Sequence, residues 1–217
     1  MDTPARVRKH FDEDSARFDA IYSDEKPAHQ RFVDRYVRGI VAERLRLARV
    51  LAPIPGDWSV LDVGCGSGRF DIALVKDGAA RALGIDFAPK MIEIARRGAE
   101  AAGIADRCTF EVAEFMDFRP AVPFDIVLAI GYFDYVTDAE AHLRKMLEHS
   151  RVRVFASFPK LVEWRVPVRM LRFALSGGFV RFYTRGELEQ ILARLDLRPE
   201  RAAILDLGRD YLLIARS

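Results

Sequence analysis

The sequence predicts an α/β protein with a mostly parallel sheet and helices on both faces, and three observations carry that prediction. A short apolar run, Val60-Leu61-Asp62-Val63, leads into a turn with glycine at 64, 66 and 68, and a helix opens directly after it. Short apolar runs then alternate with stretches of helical periodicity along the chain. The run at 124–131 is almost continuously apolar, as a strand covered on both faces should be.

Residues 1–52 carry helical periodicity and no strand pattern. Phe11 and Phe18 share a face, Pro27 starts a new segment, and a longer helix is expected over about 30–51. After Pro53 and Pro55 the alternation begins, with strand 59–63, helix 70–76 closed by Gly78, and strand 81–85 ending in Asp86. Pro89 opens the next helix at its first turn, and Gly103 stops it. Strand 108–112, strand 124–131, helix 139–148 and strand 152–157 follow. Residues 157–183 break the alternation and read as an insertion. Helix 184–195 and strands 202–207 and 211–215 complete the chain. No internal repeat or low-complexity linker interrupts it, so residues 1–217 are expected to form one domain with an N-terminal cap and one insertion.

Composition excludes several classes. Half of the 217 residues are apolar, enough for a sizeable core, yet no run is long and uncharged enough to cross a membrane. The first residues lack the apolar stretch of a signal peptide. Cys65 and Cys108 show neither disulfide nor metal-ligand spacing, so a reduced, cytoplasmic setting with no metal is expected. A net charge of +2 says nothing about a partner.

The glycine turn carries the chemistry. Alternating glycines let the backbone approach a ligand with no Cβ in the way, and a turn between strand and helix N-terminus is where α/β folds hold nucleotide-like groups. Asp86 ends the second strand 18 residues beyond Gly68, placed to accept hydrogen bonds from the hydroxyls of a ribose. The spacing acid-x-Gly-x-Gly-x-Gly resembles the first motif of the class I S-adenosylmethionine (SAM) dependent methyltransferases. A nicotinamide or flavin domain wants G-x-G-x-x-G, whose third glycine would fall on Arg69.

The resemblance implies a Rossmann-like fold with seven strands in the order 3-2-1-4-5-7-6, the last inserted antiparallel, and SAM as cofactor. It implies that Asp62 and Gly64, Cys65, Gly66 and Gly68 lie near the aminoacyl part of SAM, with Asp86 on the ribose. Phe87 and Phe115 would flank the adenine and Glu114 accept from its exocyclic amine; Met91, Ile130, Gly131 and the cap residue Tyr22 would complete the cofactor site. The segments Phe11-Asp12 and Arg17-Phe18-Asp19-Ala20-Ile21-Tyr22, with Phe182-Tyr183-Thr184, are similar to the ubiquinone-biosynthesis and Mg-protoporphyrin O-methyltransferase type. They also resemble small methyltransferases of bacterial polysaccharide clusters.

On the acceptor side the pattern departs from that group. Quinone-precursor O-methyltransferases often carry an early glutamate and a Glu-His-Val ending after the fourth strand, where this chain has Gly131 and Asp134-Tyr135-Val136. Asp134 and Tyr135 are the candidates for handling a proton or orienting a hydroxyl, although an ordinary tyrosine is a poor base at neutral pH. The alternative is that Tyr132 and Tyr135 line a pocket wall and Asp134 caps a helix. His10 and His29 in the cap are further imidazoles.

Residues 151–185 hold eight Arg or Lys against one acid, Glu163. In a helix Arg165, Arg169 and Arg172 would share one face. With Tyr132 and Tyr183 they are the candidate substrate residues, suited to an anionic or amphipathic small molecule. An anionic membrane surface, RNA and a plain solvated face also suit such a stripe. No Asn/Asp-Pro-Pro-Tyr/Phe motif and no Pro-Cys pair is present, which argues against DNA and disfavours RNA. The expected activity is methyl transfer to a hydroxyl oxygen or carboxylate of a small molecule, with a glycan or lipid-linked sugar acceptor, or a non-catalytic SAM-binding subunit, as alternatives.

Overall fold

Strands that are apolar on both faces must be covered on both, and the chain meets this need with two helical layers. The structure is a computed structural model and describes residues 56–161 and 180–217. Their order is β1 (Ser59–Val63), α1 (Arg69–Lys76), β2 (Arg81–Asp86), α2 (Pro89–Ala101), β3 (Cys108–Val112), β4 (Phe124–Ala129), α3 (Ala139–Glu148), β5 (Ser150–Pro159), α4 (Arg185–Arg194), β6 (Ala202–Asp206) and β7 (Asp210–Arg216). One seven-stranded sheet runs β3-β2-β1-β4-β5-β7-β6. Pairings from β3 to β5 are parallel, and β7 lies antiparallel to both β5 and β6.

Alternation along each strand sorts its side chains between the layers. Leu61, Val63, Val127 and Ala129 pack with Leu143 and Met146 of α3 and Leu188, Ile191 and Leu192 of α4. Val60, Ile126 and Leu128 pack instead with Leu74 and Val75 of α1 and Ile92, Ala95 and Ala99 of α2. Each large apolar side chain buried in this way contributes about 1.5–3 kcal/mol. The helix ends follow their sequence signals. Pro89 opens α2. Asp138 caps α3 by accepting from the Ala141 amide at 3.0 Å. Thr184 and Glu187 form a reciprocal capping box on α4.

Three expectations change. The fourth strand stops at Ala129 instead of running to 131, because Gly131 takes φ 78°, outside the extended range. The fifth strand is longer than 152–157, since β7 pairs with it as far as Pro159↔Asp210. The insertion expected at 157–183 therefore loses its first residues to β5. Its described flanks are joined: the Tyr183 amide donates to the Pro159 carbonyl at 2.8 Å and the Leu161 amide to the Tyr183 carbonyl at 3.1 Å. The expected cap at 1–52 lies outside the described residues.

Candidate active site

The turn after β1 is fastened to the end of β2. The Gly64 and Cys65 amides both donate to the Ile85 carbonyl, at 2.8 and 3.0 Å. One oxygen of Asp86 accepts from the Gly66 amide at 3.0 Å and the other from the Ala88 amide at 2.9 Å. Burial raises the Asp86 carboxyl above its ordinary value while these N–H bonds oppose the shift. A carboxylate offers about four lone-pair positions, so after two backbone bonds about two remain for a ligand. Gly66, at φ 53°, faces open space: a Cβ built there meets nothing within 4 Å. Gly68 serves packing instead, because a Cβ on it would lie 2.5 Å from the Phe110 ring and 2.8 Å from Ala95. The Cys65 thiol is buried in the α1/α2 layer, which leaves only its backbone to serve a ligand. Met91 is buried too, at 3% exposure.

Behind the turn lies a carboxyl pair that sequence reasoning missed. Asp62 and Asp71 are 2% and 0% exposed, and the charge of Asp71 acts on Asp62. Among the described residues no N–H or O–H donor reaches either Asp71 oxygen in good geometry. Two neighbouring carboxyls buried away from water resist ionising together, which favours a proton held at the pair. Burial first, and then the neighbouring acid, pushes Asp62 well above the carboxylate range. Burial likewise raises Asp71 to about 7. The signal was present: residues 71, 74 and 75 fall on the inward face of α1 by helical spacing.

The loop after β3 brings in Glu114. The Ala113 amide donates to the Asp86 carbonyl at 3.0 Å. Glu114 is exposed, and its charge acts on Asp86, Tyr132 and His142. Phe115 corrects the sequence reading. Its ring is 2% exposed, packed beside Tyr132 and His142 and beneath the Lys145 ammonium, so it anchors the loop from within the core and presents no free face. Tyr132 lies over the turn, close enough that a Cβ on Gly64 would meet its ring at 2.7 Å. Burial, then Glu114 and Asp86, raise the Tyr132 phenol, which stays protonated at neutral pH. Phe87 is half-buried just past Asp86.

The end of β4 is set by Ser157, whose hydroxyl accepts from the Gly131 amide at 2.8 Å; Ile130 beside it is half-buried. Asp134 is buried at 5% exposure, and its carbonyl accepts from the Arg181 amide at 2.9 Å; Tyr135 is half-buried. Tyr183 also corrects the sequence reading. It is 0% exposed, set edge-to-face against Phe158 with ring centres 5.0 Å apart, with its hydroxyl 3.3 Å from the Phe133 carbonyl, so it is a core tyrosine and no acceptor wall. His142, which sequence reasoning passed over, lies 5.7 Å from the Tyr132 ring with Nδ1 2.7 Å from the Asp138 carbonyl. Nδ1 therefore carries the proton as donor in the neutral ring, leaving Nε2 as acceptor. Burial lowers its pKa and keeps the ring neutral. Tyr22, Arg165, Arg169 and Arg172 lie outside the described residues.

Residues 60–152 match the methyltransferase-domain family. They contain the glycine turn, Asp86, Glu114 and the end of β4. Over these residues the chain is similar to methyltransferase domains. Its fold is that of magnesium protoporphyrin IX methyltransferase from Synechocystis PCC 6803 solved with S-adenosylhomocysteine (SAH), at TM-score 0.77 and 20% identity over 99% of each chain. In sequence it is similar to ajmaline N-methyltransferase of Rauvolfia serpentina, 34% identical over 46% of this chain and 33% of that protein. It is also similar to ribosomal protein L11 methyltransferase of Escherichia coli, 42% identical over 33% of this chain and 24% of that protein. The chain thus matches only a quarter to a third of the length of these curated relatives. The residues fit the cofactor: open ground above Gly66, spare acceptor positions on Asp86 and the Glu114 carboxylate suit a ligand with hydroxyl and amine donors.

Proposed function

We propose that the protein transfers the methyl group of SAM to a small molecule, at a hydroxyl oxygen or a carboxylate. When bound, SAM supplies an electrophilic methyl that already carries its leaving group, so much of the catalysis is positioning. The observation that carries the reading is the Asp86 carboxylate, held by the Gly66 and Ala88 amides at the mouth of the glycine turn. Its remaining lone pairs serve the ribose, Glu114 takes the exocyclic amine, and the backbone of the 64–68 turn takes the aminoacyl end. The open ground above Gly66 gives that end room.

On the acceptor side Tyr132 and Tyr135 flank the nucleophile, and Asp134 shapes the turn between them. A carboxylate acceptor needs no base; a hydroxyl acceptor does, and neutral His142 beside Tyr132 supports that role better than a tyrosine of raised pKa. Arg165, Arg169 and Arg172 draw an anionic or amphipathic acceptor. A glycan or lipid-linked sugar would satisfy the same charge pattern. The test is incubation with methyl-labelled SAM and panels of carboxylate- and hydroxyl-bearing small molecules, RNA and protein. Label recovered on a small molecule supports the proposal: release by mild base marks a methyl ester, retention a methyl ether. Label found only on RNA or protein contradicts it.

A further inference from the structure

We propose that Lys145 is a positioning residue that fixes the adenine end of the cleft and so sets its preference for a 6-amino purine; this rests on the methyltransferase reading above. Lys145 sits on α3, 7% exposed, far from the turn in sequence. Its ammonium donates to the Phe115 carbonyl at 2.5 Å and the Met116 carbonyl at 2.8 Å, and lies 5.0 Å from the centre of the Phe115 ring. An ammonium withdrawn from water is costly unless its donors are satisfied, and here two carbonyls and a ring face satisfy it.

The loop it grips is a single tight turn. The Asp117 and Phe118 amides donate to the Glu114 carbonyl at 3.0 and 2.9 Å, and Phe118 also donates to Phe115 at 3.2 Å. Arg119 adds a second cation at the same end, on the Met116 and Phe118 carbonyls at 2.7 and 2.8 Å. Glu114, Asp117 and Glu148 favour the charge on Lys145, whereas burial and Arg119 oppose it. At its other end the loop is held by the Ala113 amide on the Asp86 carbonyl, at 3.0 Å. Glu114 is the exposed residue between these two fastenings, beside Asp86 and Tyr132.

That placement gives Lys145 leverage on specificity. A 6-amino purine donates an N–H to the Glu114 carboxylate, and a 6-oxo purine sets a lone pair against it. A site built around one donor rejects the analogue that lacks it only while its acceptor is held still. A lysine that merely fastened the fold would affect both purines alike.

The experiment is calorimetric titration of the full chain with SAH and with S-inosylhomocysteine, its 6-oxo counterpart. Wild type is expected to prefer SAH by about tenfold or more. In Lys145→Met, checked for folding by circular dichroism, SAH affinity falls by about tenfold and the preference collapses toward unity. Lys145→Arg, which can still donate to both carbonyls, recovers most of the preference. A folded Lys145→Met with an unchanged SAH-to-inosyl ratio overturns the proposal. If that variant does not fold, Lys145→Gln is read the same way, and an unchanged ratio there overturns it equally. Failure of wild type to bind SAH at all is a different result, because it removes the methyltransferase reading beneath the proposal.

Discussion

The ends of β1 and β2 lie side by side, each carries an aspartate on the α1/α2 face, and the two acids live in opposite surroundings. Asp86 is the last residue of β2, at the rim, with both oxygens on backbone amides. Asp62 pairs in register with Gly84, two residues deeper, and its partner is another acid, Asp71. Two residues of depth separate a rim carboxylate held by backbone amides from a buried acid set beside another acid beneath the glycine turn. Position within a motif does not settle a role; distance from the rim does.

The sharpest way to break this comparison uses one substitution at two glycines. Gly68→Ala should cost roughly 2–4 kcal/mol of stability, because the new Cβ adds overpacking to a left-handed strain. The clash is with Phe110 and Ala95, at φ 70°. Gly66→Ala has the strain without the clash, so its loss should appear mainly in SAH binding. Thermal melts and SAH titration of both variants check this; a reversed pattern would exchange the roles of the two glycines.

Next in size is Asp86→Ala, expected to weaken SAM and SAH alike by about 1.5–3 kcal/mol, the scale of hydrogen bonds to a charged group. Unchanged affinity would remove Asp86 from the ribose.

The deeper acid makes a pH prediction. The folded pair keeps a proton that the unfolded chain gives up above about pH 4. Its stabilisation is complete below that pH and is lost as pH rises through about 7, where Asp71 titrates. Asp71→Asn supplies an amide donor in place of the shared proton. It should flatten the fall in Tm between pH 5 and 8, with a gain at the alkaline end on the order of 1–3 kcal/mol. Equal slopes in wild type and variant would mean that no proton is shared.

The smallest effect belongs to a site remote from both acids. Thr184→Ala removes the α4 capping box and should cost about 1 kcal/mol, or about 2–4 °C in Tm, with SAH affinity unchanged. A change in SAH affinity there would show that the melts and titrations do not separate folding from binding.

What could be read beforehand follows the same division. The succession of elements and most boundaries were legible because alternation, glycine turns and helix-opening prolines are local, while the sheet order, with its last strand antiparallel, came with the family resemblance. Asp71 was legible too, on the inward stripe with Leu74 and Val75, but was lost in an apolar reading of that helix. Lys145 was not legible, because nothing in 139–148 says that its ammonium meets carbonyls some 30 residues away. Tyr183 and Phe115 were misplaced for the converse reason. Phe115 was read from its place after a strand end and Tyr183 from its place in the basic stretch, and only packing against Tyr132, Lys145 and Phe158 shows them as core.

The central claim is that the cleft bounded by Gly66, Asp86 and Glu114 holds SAM, and calorimetric titration of the wild-type chain with SAH and, separately, NADH tests it most directly. The account predicts one SAH site and no NADH binding. Binding of NADH without SAH would contradict it.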